Sequence, residues 1–133
     1  MQFTQEEMNR VDHLGIEALV LFGSRAQGLS RTTSDFDFGV LLTRNLSVQQ
    51  RSEIYDTLYD LLSLKIQQLV NIDIVFLHDA SMELQSQAAA YGLPLYQRDA
   101  NSFARFREKV MDQYADFAPL RGVFHQAILS RIP

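Results

Sequence analysis

The stretch Gly23-Ser24-Arg25-Ala26-Gln27-Gly28-Leu29-Ser30-Arg31-Thr32-Thr33-Ser34-Asp35-Phe36-Asp37-Phe38-Gly39-Val40 decides how this sequence is read. It follows Ile16–Phe22, a nearly continuous apolar run that ends at Gly23 and reads as a strand buried on both faces. Gly23 and Ser24 therefore stand where a buried strand stops and a short helix can begin. At such a place backbone N–H groups without partners can point at an anion, and the Ser24 hydroxyl adds a donor. A polar turn then leads into a second strand, Phe36–Leu42, which carries Asp35 and Asp37. Residues two apart on a strand project to one face, with Cα atoms roughly 6.6 Å apart, so the two carboxylates form a claw.

Working outward, a third carboxylate sits in Asn71-Ile72-Asp73-Ile74-Val75-Phe76, where Asp73 interrupts an otherwise apolar strand read as Ile72–Leu77. An unpaired charge there is costly to bury. A place beside Asp35 and Asp37 on a neighbouring strand removes the cost if a cation is shared among the three. Magnesium suits such a set, because it takes few carboxylates and completes its shell with water and phosphate oxygens. Two ions roughly 3.5 to 4 Å apart stabilise the attacking and leaving oxygens of an in-line displacement on a nucleoside triphosphate. Asp73 is then placed to orient or deprotonate an incoming hydroxyl. Plainer roles stand beside these: a strand-ending turn for Gly23-Ser24, turn chemistry for Asp35, a buried salt bridge for Asp73, and solvated loop positions for Arg25 and Arg31. Asp37, set among Phe36, Phe38 and Val40, has no cheap structural role. His13, His78 and His125 are isolated from any ligand spacing.

The remaining pattern mixes helices and strands. Thr4 and Glu7 make a capping box for a short helix ending near His13 to Gly15. Ser47 caps a long helix to about Leu69, with Ile54, Leu58, Leu61, Leu62, Leu64, Ile66 and Leu69 as its apolar stripe and Arg51 and Glu53 facing water. Asp79 starts another helix ending at Tyr91-Gly92, and Pro94 to Gln97 reads as an edge strand. From Asn101 onward the chain is helical, with Phe103, Phe106, Val110, Tyr114 and Phe117 spaced by three or four until Pro119, after which a last helix follows. This is an α/β domain whose short mixed sheet carries the acidic strands, flanked by helices. It reads as one domain over 1–133, with a core of about 4–97 and a helical C-terminal segment of about 100–133.

Composition narrows the classes. At 133 residues one hydrophobic core suffices, and the absence of cysteine removes disulfides, thiolate metal sites and thiol nucleophiles. A net charge of -4 supplies no excess positive field for tracking a polynucleotide. No apolar run reaches the roughly 20 residues that span a bilayer, and residues 1–7 lack the basic and apolar regions of a secretory signal, so a cytoplasmic location is expected.

The Gly-Ser pair, ten intervening residues and Asp-x-Asp together resemble the signature of the nucleotidyltransferase superfamily, whose fold is that of polymerase beta. Within it the short chain is similar to the minimal nucleotidyltransferases, the MntA-type antitoxins paired with HEPN-domain ribonuclease toxins of the HepT type. The likeness covers about Ile16 to Gln97. It implies transfer of AMP from magnesium-ATP to a toxin hydroxyl, in this family a tyrosine, which silences RNA cleavage. By the same likeness Gly23 and Ser24 hold the triphosphate, Asp35 and Asp37 bind two Mg2+ ions, and Asp73 is the third metal ligand and acceptor activator. Many superfamily members carry arginine where Gln27 stands, so some triphosphate contact either falls to Arg25 or Arg31 or is missing. No second domain encloses a small acceptor, so a HEPN protein partner in a hetero-oligomer is expected, without direct nucleic-acid or membrane contact. Two other readings stay open: an antitoxin that acts by binding alone, and a small-molecule nucleotidyltransferase of the aminoglycoside-modifying kind.

Overall fold

The computed structural model describes residues 1–28, 34–114, 122, 125–127 and 129. Its elements are α1 (Gln5–His13), β1 (Ile16–Phe22), β2 (Phe36–Leu42), α2 (Val48–Ile66), β3 (Ile72–Phe76), α3 (Met82–Tyr91), β4 (Leu93–Gln97) and α4 (Ser102–Gln113). The strands form one mixed sheet in the order β3-β2-β1-β4. β1 runs antiparallel to both β2 and β4, whereas β2 and β3 are parallel, joined through α2. The mixed sheet and the edge position of β4 agree with the sequence reading.

Strand parity explains why β1 is apolar from Ala18 to Phe22. Leu19 and Leu21 join a core with Val11 of α1 and Ile54, Leu58, Leu61 and Leu62 of α2. Ala18, Val20 and Phe22 face the other way, into a core with Ala88–Ala90 of α3 and Phe103, Phe106 and Val110 of α4. A strand covered on both faces has no position at which a polar side chain is free of cost. β2 divides differently. Phe36, Phe38 and Val40 enter the α2 side, and only Leu41 of the alternate set reaches the core on the α3 and α4 side. Gly39 lies on that second side because a Cβ there would come within 2.7 Å of Leu77 Cδ1.

Capping chemistry holds where it was expected. The Thr4 hydroxyl accepts from Glu7 N at 3.1 Å while Glu7 Oε1 accepts from Thr4 N at 2.8 Å. Ser47 and Gln50 make the same reciprocal pair on α2, at 3.1 and 3.0 Å.

Two helix boundaries and one exposure differ from the sequence reading. α2 stops at Ile66, because Gln67 turns left-handed with φ 52°, and Leu64 and Leu69 stand 74 % and 108 % exposed instead of completing the buried stripe. Arg51 is half-buried and ion-paired with Asp79. Asp79 lies in the 3₁₀ turn Leu77–Asp79 that follows β3, and α3 begins later, at Met82, with the Ser81 hydroxyl accepting from Leu84 N as its cap. In α4, Phe103, Phe106 and Val110 are buried as their spacing predicts. Phe117 and Pro119 lie outside the described residues, and of the following segment 122, 125–127 and 129 are described, in helical conformation. Among the described residues no helix is long and apolar enough to cross a membrane.

Candidate active site

The site is built where three chain ends meet on one edge of the sheet. β1 arrives there at Phe22, while β2 and β3 both start there, since β2 is antiparallel to β1 and parallel to β3. Register then places the carboxylates: Asp37 lies opposite Phe22 on one side and Asp73 on the other. Because Phe36, Phe38, Ile72 and Ile74 all enter the α2-side core, alternation sends Asp37 and Asp73 together to the opposite face. Asp35 immediately precedes β2 and is exposed.

The electrostatics follow from this crowding. The Asp37 carboxyl is held above its ordinary range, first by burial and then by the negative charges of Asp73 and Asp35. When protonated it donates to the Asp73 carboxylate, which raises it further. None of the ion pairs among the described residues involves Asp35, Asp37 or Asp73. The salt bridge that was the plainer reading of Asp73 is therefore absent among the described residues. Asp73 is also exposed, which corrects the expectation of a buried charge: β3 is an edge strand, and only its Ile72 and Ile74 side is buried. Mutual repulsion at Asp37, rather than burial of Asp73, is what a cation here would relieve.

Gly23 makes the close approach feasible. Its φ is +75°, and a Cβ at this position would run into Asp37 Oδ2. Any side chain would both strain the backbone and displace the carboxylate. The residues after it form a hydrogen-bonded turn in place of the short helix that was expected, with Ala26 N and Gln27 N donating to Gly23 O at 3.1 and 3.3 Å. Ser24 is half-buried in that turn, and among the described residues its N–H donates to no backbone carbonyl.

The two arginines part company. Arg31 lies outside the described residues. Arg25 donates from Nε and Nη2 to Ser34 O at 3.2 and 2.8 Å and lies 4.0 Å over the Phe36 ring. Phe36 escaped notice in the sequence because its only visible signal was that of a core residue. Gln27 is exposed. His13 and His125 are exposed, and His78 lies in the 3₁₀ turn after β3, so none of them joins the carboxylates.

A divalent cation can be tested against this donor set. Asp37, crowded by the charges of Asp73 and Asp35, offers the oxygen donors that a hard ion prefers, with phosphate and water completing the shell. Among the described residues, no three acidic or histidine side chains are drawn together tightly enough to form a metal cage by themselves. The chemistry of the donors suits a hard ion, while their placement supplies no ready-made three-ligand cage among the described residues.

Known proteins share this fold. A structure described as a toxin-antitoxin with AMP-PNP is 24% identical, with 92% of this chain and 98% of that chain covered and a TM-score of 0.62. The MntA-HepT toxin-antitoxin structure gives 22% identity, coverage of 95% and 99%, and a TM-score of 0.56. A complex of the tri-AMPylated Shewanella oneidensis HEPN toxin with MNT antitoxin gives 22% identity, coverage of 94% and 98%, and the same TM-score of 0.56. At these identities the likeness is one of fold. No curated protein matches the chain. The model of the family described as polymerase beta, nucleotidyltransferase matches residues 8–101, a span that holds the glycine-serine turn and all three carboxylate positions. With most of its length inside that match, the chain belongs to the polymerase beta nucleotidyltransferase family.

Proposed function

We propose that the protein is a magnesium-dependent nucleotidyltransferase antitoxin that transfers AMP from ATP to a hydroxyl, a tyrosine, of a HEPN-domain toxin. The observation that carries the catalytic part is the register of Asp37 with Asp73 across β2 and β3, beside a glycine that no other residue can replace without displacing Asp37. Family membership and the AMP-PNP-bound and AMPylated toxin-antitoxin structures of like fold support the choice of ATP and of a toxin partner.

In this reading Asp35 and Asp37 hold magnesium, with Asp73 as third ligand, and the bound ion supplies charge stabilisation for the phosphate oxygens. The Gly23-Ser24 turn binds and orients the triphosphate through N–H and hydroxyl donors. Asp73, exposed on its edge strand, is open to a hydroxyl delivered from outside, and it takes that proton as the acceptor oxygen bonds to the α-phosphorus and pyrophosphate leaves. The open approach suits an acceptor presented by another protein.

The test is mass spectrometry of a HEPN toxin incubated with the protein, ATP and magnesium. An added AMP mass on a toxin tyrosine, absent with Asp37→Asn, is expected. An unmodified toxin whose ribonuclease activity is nonetheless silenced would replace catalysis by binding alone.

A further inference from the structure

We infer that Arg25 is a positioning residue, a clamp that fixes the direction of Asp35, and that it is not a ligand of the triphosphate. The inference rests on the nucleotidyl-transfer reading for its functional consequence, but its structural half stands on geometry alone.

Three observations carry it. Arg25 reaches nine residues along the chain, from the turn after β1 to the start of β2, and two of its donors, Nε and Nη2, converge on a single carbonyl, that of Ser34. That carbonyl belongs to the peptide unit joining Ser34 to Asp35, so two hydrogen bonds on it fix the plane from which the Asp35 Cα–Cβ bond departs. The guanidinium is also seated on Phe36, the residue after Asp35, at 4.0 Å from the ring centroid. Phe36 is itself immobilised: it is 7 % exposed, stacks on Phe38 at 6.1 Å and donates its N–H to Asn71 O at 3.0 Å.

Asp35 needs such help. It is exposed and lies just outside β2, so neither packing nor the strand ladder orients it, in contrast to Asp37, which is in register on both sides. A planar fork whose two N–H groups converge on one carbonyl while it lies over a ring is a geometry that arginine provides and lysine does not. An arginine so engaged is directed at the protein backbone. The same contacts tie the phosphate-binding turn to the first carboxylate, so that both halves of the site move as one unit.

The test compares Arg25→Ala, Arg25→Lys and Phe36→Leu with the parent protein by two readouts. The first is hydrogen exchange at the amide of residue 36, which donates to Asn71 O, without nucleotide or metal. The clamp requires at least roughly tenfold faster exchange in all three variants, with β1 and β3 unchanged; unaltered exchange in Arg25→Ala overturns it. The second is nucleotidyl transfer, with the magnesium and ATP dependences measured separately. A clamp raises the magnesium concentration needed for half-maximal rate in Arg25→Ala and Phe36→Leu alike, with little change in KM for ATP at saturating magnesium. A triphosphate ligand instead raises KM for ATP in Arg25→Ala, is partly rescued by Arg25→Lys and is indifferent to Phe36→Leu, and that pattern overturns the inference. Thermal melts of all three variants separate local release from loss of fold. Failure of transfer in the parent protein would count against the nucleotidyl-transfer reading, whereas exchange decides the clamp independently.

Discussion

Asp37→Asn is expected to abolish nucleotidyl transfer and at the same time to make the ion-free protein more stable. Asp37 and Asp73 are register partners on adjacent strands and share a face. Strands lie about 4.8 Å apart, so the two charges sit about 5 Å from one another. Their repulsion at that distance is about 0.8 kcal/mol in water and about 3 kcal/mol at an effective dielectric constant of 20. Asp73 is exposed, which moves the value toward the lower limit, to about 1 kcal/mol. The asparagine removes that term and adds an amide that can donate to the Asp73 carboxylate. In a chain of this length about 1 kcal/mol corresponds to a rise in Tm of roughly 3 to 5 °C. The measurement is a thermal melt at pH 7 and low salt with a chelator present.

The sign of the pH dependence follows from the raised Asp37 carboxyl. The folded state holds a proton there that the unfolded state releases, so in the window just above the ordinary value of 3.8 the parent protein loses stability as pH rises. Its deficit against Asp37→Asn is fully developed at pH 7 and shrinks on acidification. Saturating magnesium and ATP should reverse the order, because a ligand at a hundred times its Kd adds about 2.7 kcal/mol to the parent protein alone. An Asp37→Asn protein that melts at or below the parent temperature at pH 7 in chelator, or a gap that widens toward pH 4, would refute the reasoning.

Asp35→Asn and Asp73→Asn should each lower transfer by roughly a hundredfold or more while leaving the far-ultraviolet circular dichroism unchanged; retention of most activity in either would remove that residue from the site. Gly23→Ala should cost roughly 1 to 2 kcal/mol for left-handed backbone alone, with a further loss from the methyl group meeting Asp37 Oδ2, and should eliminate transfer. A variant matching the parent in both melting and activity would contradict the close approach. Tyr96 donates to Asp12 Oδ1 at 3.0 Å, and burial followed by that bond pushes its hydroxyl up to about 12. Tyr96→Phe should lose about 1 kcal/mol below pH 10. The parent protein should lose more than that between pH 10 and about pH 12, because ionisation both breaks the bond to Asp12 and leaves a buried phenolate beside it, a decline that denaturant melts should not find in the variant.

Much of the site was legible because its determinants are local. The fixed distance from Gly23-Ser24 to Asp35-x-Asp37, the apolar run that ends at Phe22 and the parity of Asp37 among Phe36, Phe38 and Val40 are all properties of consecutive residues. Capping boxes at Thr4 and Ser47 were legible for the same reason, since each closes within three positions. Asp73 was singled out from its apolar neighbours, but its exposure was misjudged. Alternation tells which residues share a face, yet only the strand order tells that β3 lies at an edge with that face uncovered. The end of α2 was missed in the same way: Leu64 and Leu69 fit a helical stripe, and only packing decides whether a stripe has a partner.

What the amino-acid sequence determined by itself, then, is the chemistry: which groups carry charge, where the strand before Gly23 ends, and where α1 and α2 are capped. The tertiary structure alone decided proximity. Asp37 and Asp73 are far apart in the chain and become register neighbours through a parallel pairing that runs by way of α2, and Arg25 finds Ser34 only after the chain has turned back into β2. Local propensity acts over a few residues, whereas repulsion between carboxylates and the fork of an arginine on a carbonyl act through space, so they exist only once long-range packing has fixed the distances.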